Sequence, residues 1–530
     1  MDNLQLSINL HAALSEYCLE AVNPSWKTPG PSRLGFECPD KISKSLAELK
    51  FIWFGDYNAG LVLSIANSQD VWFRNENAYF EQIRNDKTCS IRLNTGSFSM
   101  SAGEKISLKF VLYVTPFKPL SKEHWNWRYY HKGYGNDLDI DQGINANAKV
   151  FVQHHASPNC PYISYLFPVA DRLKKMADRI HANGGLFKVY NTIRELSTRA
   201  NELWALRSLG HEILLPTEGN LGYESLAQLP LEYQLRDQVN EPFTGQTWMC
   251  EHLVDDYHAR WHSSVKDKNR NLITEDSSLQ ISGASRWSNF YIESQRWLME
   301  HVGLDGLYLD GVTFDRASFI RVRKTLVRTK PEALIDWHGS PAEIIDFLSM
   351  VDSIWFGEAA NYSREPAYWL TAVSGIPFGT PGELLMSNAS VQRGMVFGVS
   401  QRYAWMSLSS VDPSALWKWW DSFDIMNAEM IGYWQDNCPV STDNPDTKAT
   451  VYLHKGNKLA IAIASWAEEN VKVKLTIDWK SVGLSPEHCS VTVPEIRMFQ
   501  RELNGVDLDA IEVEPEKGWL IVVEGVSAKR

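Results

Sequence analysis

Three carboxylates lie at or near the ends of short apolar runs in the middle of the chain. The runs "GLYLDG", "LIDWHG" and "SIWFGE" contain Asp310, Asp336 and Glu358. Cleavage of an acetal needs one carboxylic acid that protonates the leaving oxygen, and a second carboxylate that attacks the anomeric carbon or activates water. Carboxylates held at a fixed separation on rigid strands therefore predict hydrolysis of a glycosidic bond.

The alternation of side chains along a strand indicates which residues share a face. Tyr308 and Asp310 fall on one face of their run, and Asp336 and His338 share a face of the next. In a parallel barrel the active site lies at the carboxyl ends of the strands. We therefore expect these four side chains to point into the barrel mouth, with Tyr308 and His338 contacting substrate.

The apolar run before Glu358 includes Trp355, which we also expect to contact the sugar. Apolar surroundings keep a carboxyl group protonated, which favours Glu358 as the acid. Asp310 is then the nucleophile or base, and Asp336 is a reserve catalytic carboxylate. A structural partner such as His338 is an equally open interpretation of Asp336.

A second cluster, "HWNWRYYHKGY", mixes cations with aromatic residues. Trp127, Arg128, His131 and Lys132 could form a substrate subsite with a cationic corner for a sulfate or carboxylate group. The alternative is a first strand whose aromatic side chains belong to the core. One imidazole of "VFVQHH", at His155, is expected at the barrel mouth.

The elements that would position these residues alternate between strand and helix from about residue 124 to 440. "AKVFVQHH" precedes the amphipathic "VADRLKKMADRIHANGG", and further strand and helix patterns follow through "SIWFGE". Such repetition predicts an α/β fold with a (β/α)₈, TIM-like barrel. Runs rich in β-branched and aromatic residues on both sides predict flanking β-sandwiches. The expected domains are residues 1–120, 121–443 and 444–530.

Composition and motifs exclude several classes of function. The chain has 530 residues, a net charge of −12 and 21 tryptophans. This charge, without a run of Lys or Arg, argues against nucleic-acid binding. No GxGxxG, phosphate-binding loop or GxSxG motif is present, and we expect no cofactor. The aromatic surplus fits a carbohydrate substrate.

No apolar stretch is long enough to cross a bilayer, and no basic and apolar leader begins the chain. We therefore expect a soluble protein without a membrane partner. It would be cytoplasmic as written, or secreted or periplasmic if the amino terminus has been trimmed. The sequence does not indicate an oligomeric state.

The order of "LYVTPFKPL", "RYYHKGY", "GLDGLYLDG", "SIWFGEAANY" and "LAIAIASWAEENVKVKLTIDWKSVGL" resembles the bacterial proteins related to glycoside hydrolase family 123. The resemblance implies an amino-terminal β-sandwich, a barrel and a carboxyl-terminal β domain. It also implies a hydrolase of galactosamine-containing glycans or sulfated galactans. The family uses an adjacent Asp-Glu pair and the acetamido group of the substrate, whereas this sequence contains no Asp-Glu dipeptide.

Two other functions remain open at this stage. A non-catalytic carbohydrate-binding protein with a degenerate barrel would bind sugar without turnover. A metal-dependent hydrolase would use His and Asp residues of the mouth and lose activity with a chelator. The spacing of His and Cys matches no metal motif, so we predict no metal site.

Overall fold

The computed structural model describes twelve stretches of the chain. They are residues 3–22, 36–46, 49–65, 77–133, 135–214, 259–282, 285–310, 316–357, 360–385, 389–403, 412–503 and 505–526. Glu358, Tyr134 and Asp315 lie outside these stretches. No helix within them combines the length and apolar character needed to cross a bilayer.

The amino-terminal region packs two antiparallel sheets face to face. Its strands are β1 (Gln5–His11), β2 (Tyr17–Val22), β3 (Phe36–Glu37), β4 (Lys41–Ser45), β5 (Leu49–Gly55), β6 (Gly60–Ser64), β7 (Tyr79–Arg84), β8 (Thr88–Asn94) and β9 (Val111–Thr115). The sheet orders are β1-β8-β7-β4 and β3-β2-β5-β6-β9. Ile52, Phe54, Phe80 and Ile91 fill the space between them. The β structure begins with β1, in which apolar and polar residues alternate and one face is half-buried.

The central region contains a six-stranded parallel sheet with the order β10-β11-β12-β16-β17-β18. The strands of the whole central region are β10 (Tyr129–Tyr130), β11 (Val150–Gln153), β12 (Leu186–Tyr190), β13 (Glu195–Ser197), β14 (Ala259–Lys266), β15 (Leu272–Gln280), β16 (Gly306–Asp310), β17 (Leu334–His338), β18 (Ser353–Trp355), β19 (Glu383–Leu384) and β20 (Ser400–Gln401). Strands β13, β15 and β14 form a separate three-stranded sheet, which is inserted between β12 and β16 in the chain. This is a TIM-barrel-like arrangement.

Helices connect the successive strands of the central region. They are α1 (Ile140–Asn145), α2 (Ala170–His181), α3 (Leu203–Arg207), α4 (Trp287–His301), α5 (Arg316–Thr329), α6 (Pro366–Tyr368), α7 (Val391–Val396) and α8 (Ser414–Phe423). Shorter 3₁₀ helices include Pro341–Glu343 and Ile345–Met350, which lie between β17 and β18. In α2, Leu173, Met176, Ala177 and Ile180 are buried at helical spacing, which is the face that packs on the sheet.

Two isolated parallel bridges extend the pairing beyond the six-stranded sheet. Ile354 of β18 pairs with Gly382, and Tyr130 of β10 pairs with Tyr403. Strands β19 and β20, which lie next to these two partners in the chain, pair with each other in parallel. The pairings therefore link both edges of the large sheet to the β19–β20 pair.

The carboxyl-terminal region is again antiparallel. Its strands are β21 (Glu429–Ile431), β22 (Val440–Thr442), β23 (Thr447–His454), β24 (Lys458–Ser465), β25 (Val471–Val473), β26 (Leu475–Ile477), β27 (Cys489–Thr492), β28 (Ile511–Val513) and β29 (Gly518–Gly525), with one short helix, α9 (Trp479–Val482). The main sheet has the order β21-β23-β24-β29-β27. Strands β21 and β22 precede residue 444, yet they pair with β23 and β26 of this region.

Candidate active site

The inner face of the parallel sheet holds a fully buried ion pair below the mouth. Lys188 of β12 contacts Asp336 of β17, and neither side chain reaches solvent. The hydroxyls of Tyr129 and Ser353 donate to the other oxygen of Asp336, at 3.0 and 2.7 Å. Burial raises the pKa of Asp336 and lowers that of Lys188, and the attraction between the two opposes both shifts.

This arrangement does not fit the predicted reserve catalytic role of Asp336. Its carboxylate has no exposed surface, and protein donors occupy both of its oxygens. A group that attacks or protonates a sugar must reach the reacting atoms. Asp336 of β17 instead connects to three other strands of the sheet, through Lys188 of β12, Tyr129 of β10 and Ser353 of β18.

Asp310 ends β16 above this buried layer, and 29% of its side chain is exposed. The hydroxyl of Tyr190 donates to Oδ2 of Asp310 at 3.0 Å. Nη2 of Arg194 lies 3.2 Å from the same oxygen, and Nδ1 of His338 lies 3.4 Å from Oδ1. Burial alone would raise the pKa of Asp310, but Arg194, His338 and Tyr190 together hold it below its usual value. Asp310 is therefore ionised at neutral pH.

Aromatic rings and imidazoles fill the barrel interior around Asp310. Tyr308 lies 5.0 Å from His131 and 5.1 Å from Trp355, measured between ring centroids. His154 and His155 each pack 4.4 to 4.5 Å from the Tyr190 ring. Burial lowers the pKa of His131, His154 and His155, to about 3 for His154. These imidazoles are neutral hydrogen-bonding groups at physiological pH.

One hydrogen bond assigns the proton of a mouth imidazole. Arg402, which is buried just after β20, donates from Nη1 to Nδ1 of His131 at 2.8 Å. A guanidinium can only donate, so Nδ1 accepts and the proton of His131 lies on Nε2. The guanidinium also lies over the Trp355 ring, 5.6 Å from its centroid. Arg402 thereby connects the end of β20 to the end of β10.

Trp127 and Arg128 do not belong to the mouth, in contrast to the sequence prediction. The carbonyl of Arg128 accepts hydrogen bonds from the backbone of Lys149 and Val150, at the beginning of β11. Its guanidinium is buried and pairs with Asp421 of α8. Both residues precede β10, so they lie at the amino ends of the parallel strands. Of the same cluster, only His131 and its half-buried neighbour Lys132 follow the strand.

Sequence reasoning missed several ionisable residues of the site. Arg194 and Glu195 follow β12, and Oε2 of Glu195 lies 3.5 Å from the Tyr190 hydroxyl and 3.6 Å from Nε of Arg194. The alternation rule applied to "LFKVYN" would have placed Lys188 and Tyr190 on the inner face. Glu383 of β19 is buried, which raises its pKa well above the usual value, and the charge of Asp336 adds to this effect. No sequence signal marks Glu383, because its strand is only two residues long.

Asp276 of β15 links the connection after β11 to strand β13. It accepts a hydrogen bond from the Ile163 backbone at 2.8 Å and another from the Ser197 hydroxyl. Ile163 lies in the connection after β11, and Ser197 lies in β13, two residues beyond Glu195. Burial raises the pKa of Asp276 to about 7, although these hydrogen bonds act in the opposite direction.

The raised pKa of Asp276 predicts a pH-dependent stability. The folded chain holds this proton up to about pH 7, whereas the unfolded chain releases it near 3.8, the ordinary pKa of an aspartate. Stabilisation is therefore complete below the unfolded pKa and lost as the pH rises through 7. Between pH 5 and 8 we expect a loss of roughly 3 kcal/mol in unfolding free energy from this group. Urea titrations at both pH values should show a smaller loss for Asp276→Asn, and an equal loss in both proteins would contradict the prediction.

Within the described stretches, no group of three or more His, Cys, Asp or Glu side chains is arranged to hold a metal ion. The structure brings Asp310, Tyr308, His338, His131, His155 and Trp355 together toward the carboxyl ends of the parallel strands. Glu358, the predicted acid, lies outside the described residues.

Two family models match the chain. The model described as "Glycoside hydrolase 123, TIM-barrel domain" matches residues 121–404, and "Glycoside hydrolase 123, C-terminal domain" matches residues 412–524. A search of curated proteins finds no match.

Solved structures similar to this chain are distant in sequence. An α-galactosidase from Lactobacillus brevis is 9% identical, with 99% of this chain and 75% of that chain covered and a TM-score of 0.49. A GH36 α-galactosidase from Geobacillus stearothermophilus is 10% identical, with 99% and 77% covered and a TM-score of 0.47. A maltogenic α-amylase from Thermotoga neapolitana is 11% identical, with 75% and 98% covered and a TM-score of 0.44.

Proposed function

This chain belongs to the glycoside hydrolase 123 family, and we propose that it hydrolyses glycosidic bonds of a poly- or oligosaccharide at the end of the sheet that carries Asp310. The observation that supports this site is the environment of Asp310. It is a partly exposed carboxylate, kept ionised by Arg194, at the carboxyl end of a barrel strand. Catalytic groups of such barrels lie at these strand ends.

In the proposed reaction, the ionised Asp310 faces the anomeric carbon. It stabilises the positive charge that develops as the glycosidic C–O bond breaks, either by attack on that carbon or by activation of water. Arg194 and the Tyr190 hydroxyl hold the carboxylate in place and keep it deprotonated. Water supplies the hydroxyl that is added to the anomeric carbon. The other proton of this water restores the acid that protonated the leaving oxygen.

The proton donor for the leaving oxygen is proposed to be Glu358, as the sequence suggested. Trp355 is the last residue of β18 and Phe356 is the next in the chain, and both of these side chains are buried. Such neighbours favour a protonated carboxyl group. His338 and Lys132 are partly exposed and are proposed to contact the sugar. Tyr308, Trp355, His131 and His155 are at most 2% exposed, so they are proposed to support the site from beneath rather than to touch the substrate. Because residue 311 after Asp310 is Gly rather than Glu, we propose two separate carboxylates instead of an adjacent pair.

The substrate proposal changes in one respect. The predicted cationic corner for a sulfate group combined Arg128, His131 and Lys132. Arg128 lies at the other end of the sheet, paired with Asp421, and burial keeps His131 neutral, so Lys132 alone of the three remains as a cation near the mouth. Sulfated galactans and galactosamine-containing glycans therefore rest chiefly on the family resemblance. We propose that the site accepts a glycan without requiring a sulfate group.

We further propose that the central region closes as an eight-stranded (β/α)₈ barrel. The parallel bridges at Ile354 and Gly382 and at Tyr130 and Tyr403 support closure through β19 and β20. The three-domain division at residues 120 and 443 remains a proposal, with β21 and β22 pairing across the second boundary. Limited proteolysis should release fragments that end near these two positions.

The experiment that tests the proposed function is release of reducing ends from plain polysaccharides, sulfated polysaccharides and aminosugar glycosides. We expect turnover of at least one class, without loss of activity when a chelator is present. Sugar binding without any turnover would favour the non-catalytic alternative, and loss of activity with a chelator would favour a metal-dependent hydrolase.

Tyr190→Phe should move the acidic limb of the pH profile of kcat/KM to higher pH. The substitution removes the hydroxyl that donates to Asp310, so the ionised form loses a charge-assisted hydrogen bond and the pKa of Asp310 rises. The same substitution at Tyr130, whose hydroxyl donates to Gln142 instead, should leave the limb in place. An unshifted limb for Tyr190→Phe would show that Asp310 is not the group that titrates.

A further inference from the structure

A polar cavity of about 370 Å³ lies where the barrel-like region meets the carboxyl-terminal β region. We call it the seam cavity, and Asn361, Tyr362, Ser363, Ser390, Arg393 and Glu516 line it. Residues 360 to 363 follow β18, Ser390 and Arg393 follow β19, and Glu516 precedes β29. Ligand sites occur preferentially at domain interfaces and have volumes of roughly 300 to 1,000 Å³.

Arg393 is a buried guanidinium that the surrounding structure holds in place. Its side chain is only 3% exposed, and it donates to the backbone carbonyls of Ser465 and Tyr362 at 3.0 and 2.9 Å. The guanidinium also lies over the Trp466 ring, 4.9 Å from its centroid. A charge fixed in this way is preorganised, so it loses little freedom when a ligand binds.

Glu516 faces Arg393 from the carboxyl-terminal region. Its Oε1 lies 3.6 Å from Nη1 of Arg393, and 57% of its side chain is exposed. It occupies the third position of a turn closed from Lys517 to Glu514, with a φ of 60°. This backbone conformation favours Gly, and a residue with a side chain is strained there. The chain nevertheless places a carboxylate at this position, directed toward the seam cavity.

The lining determines which ligand class the cavity fits. One guanidinium and one carboxylate balance each other in charge, and the amide of Asn361 also lines the cavity. The hydroxyl of Ser390 donates to the backbone carbonyl of Glu516 at 2.6 Å, and that of Ser363 donates to its carboxylate at 3.4 Å. Hydroxyl groups of a ligand can donate to Glu516 and accept from Arg393 or Asn361. An anionic ligand would meet the carboxylate of Glu516, and an apolar ligand would leave polar groups unpaired.

We propose that the seam cavity binds a neutral sugar unit, as a second carbohydrate site beside the mouth. One hydrogen bond connects the cavity to the end of a strand at the mouth. The Tyr362 hydroxyl donates to the carbonyl of Phe356 at 2.6 Å, and Phe356 is the residue after β18. The identity of the ligand as a carbohydrate rests on the proposed function. The site binds a hydroxyl-rich, uncharged pyranose through Glu516 and the Arg393 guanidinium.

The test uses a local reporter that does not depend on hydrolysis. The full chain with Asp310→Asn is labelled with 5-fluorotryptophan, and the ¹⁹F resonance of Trp466 is assigned from Trp466→Phe. Methyl β-D-galactopyranoside and methyl β-D-glucopyranoside are the neutral probes, and galactose 6-sulfate and methyl glucuronide are the anionic probes. We expect a saturable shift of the Trp466 resonance with a neutral probe, and affinity for the anionic probes that is lower by about ten-fold or more.

Glu516→Ala should lower the affinity for the neutral probe by about ten-fold, since a hydrogen bond to a charged group is lost. Glu514→Ala is the matched control, because Glu514 is exposed in the same turn and does not line the cavity. A Trp466 resonance that no neutral probe shifts, equal affinity in Glu516→Ala, or tighter binding of the anions would each overturn the proposal. Turnover by the wild type without a Trp466 shift would overturn this inference and leave the proposed function standing.

Discussion

Asp310→Asn is expected to lower kcat for glycoside hydrolysis by roughly 10² to 10⁴-fold. Asparagine keeps the size of the side chain and can still accept a hydrogen bond from Tyr190. It cannot carry the negative charge that Arg194 and His338 maintain on Asp310 in the wild type. The developing charge at the anomeric carbon then loses its stabilising group. The measurement is release of reducing ends from whichever substrate the wild type cleaves.

Asp171→Asn is the matched control, because it is the same change of residue type at an exposed position of α2. It should leave kcat unchanged, and the thermal midpoints of both variants should stay close to that of the wild type. If Asp310→Asn cleaved the substrate as fast as the wild type, Asp310 would not be the catalytic carboxylate. The site would then have to be sought elsewhere in the mouth.

Lys188→Met is expected to lower the unfolding free energy by about 3 to 5 kcal/mol. Methionine retains the length of the lysine stem but leaves the fully buried Asp336 without its countercharge. An unpaired buried carboxylate is costly, and Tyr129 and Ser353 supply only neutral hydrogen bonds. The midpoint of urea denaturation, followed by tryptophan fluorescence, measures the loss.

The deficit of Lys188→Met should depend on pH. Without Lys188, the folded-state pKa of Asp336 rises further above its unfolded value, so the variant gains stability by binding a proton. That stabilisation is complete below the unfolded pKa and is lost as the pH rises through the folded one. The variant should therefore lie closer to the wild type at pH 5 than at pH 8.

The surface pair of Lys174 and Asp178 provides the comparison for the buried pair. Both of its side chains are more than half exposed, so Lys174→Met should change the urea midpoint little. Similar midpoints for Lys188→Met and Lys174→Met would contradict a structural role of the buried pair. Asp336 would then be held by its hydroxyl donors alone.

The sequence by itself determined the features that depend on local periodicity. Alternation along "GLYLD" separates Tyr308 from Leu307 and Leu309, and in the structure Tyr308 joins the interior cluster while both leucines join the surrounding core. The helical spacing in α2 likewise identifies its buried face. The family assignment followed from the order of motifs and is confirmed by the two family models. Each of these inferences needs only neighbours within a few residues.

Only the tertiary structure decided which charges meet. Lys188 and Asp336 are 148 residues apart, and Arg128 meets Asp421 across 293 residues. Whether Arg128 belongs to β10 or precedes it depends on the pairing of β10 with β11. A two-residue strand has too little pattern for its limits to be predicted from the sequence. The energy of a buried charge depends on its partner and its burial. Both are properties of the assembled sheet, so the sequence could not distinguish the buried Asp336 from the partly exposed Asp310.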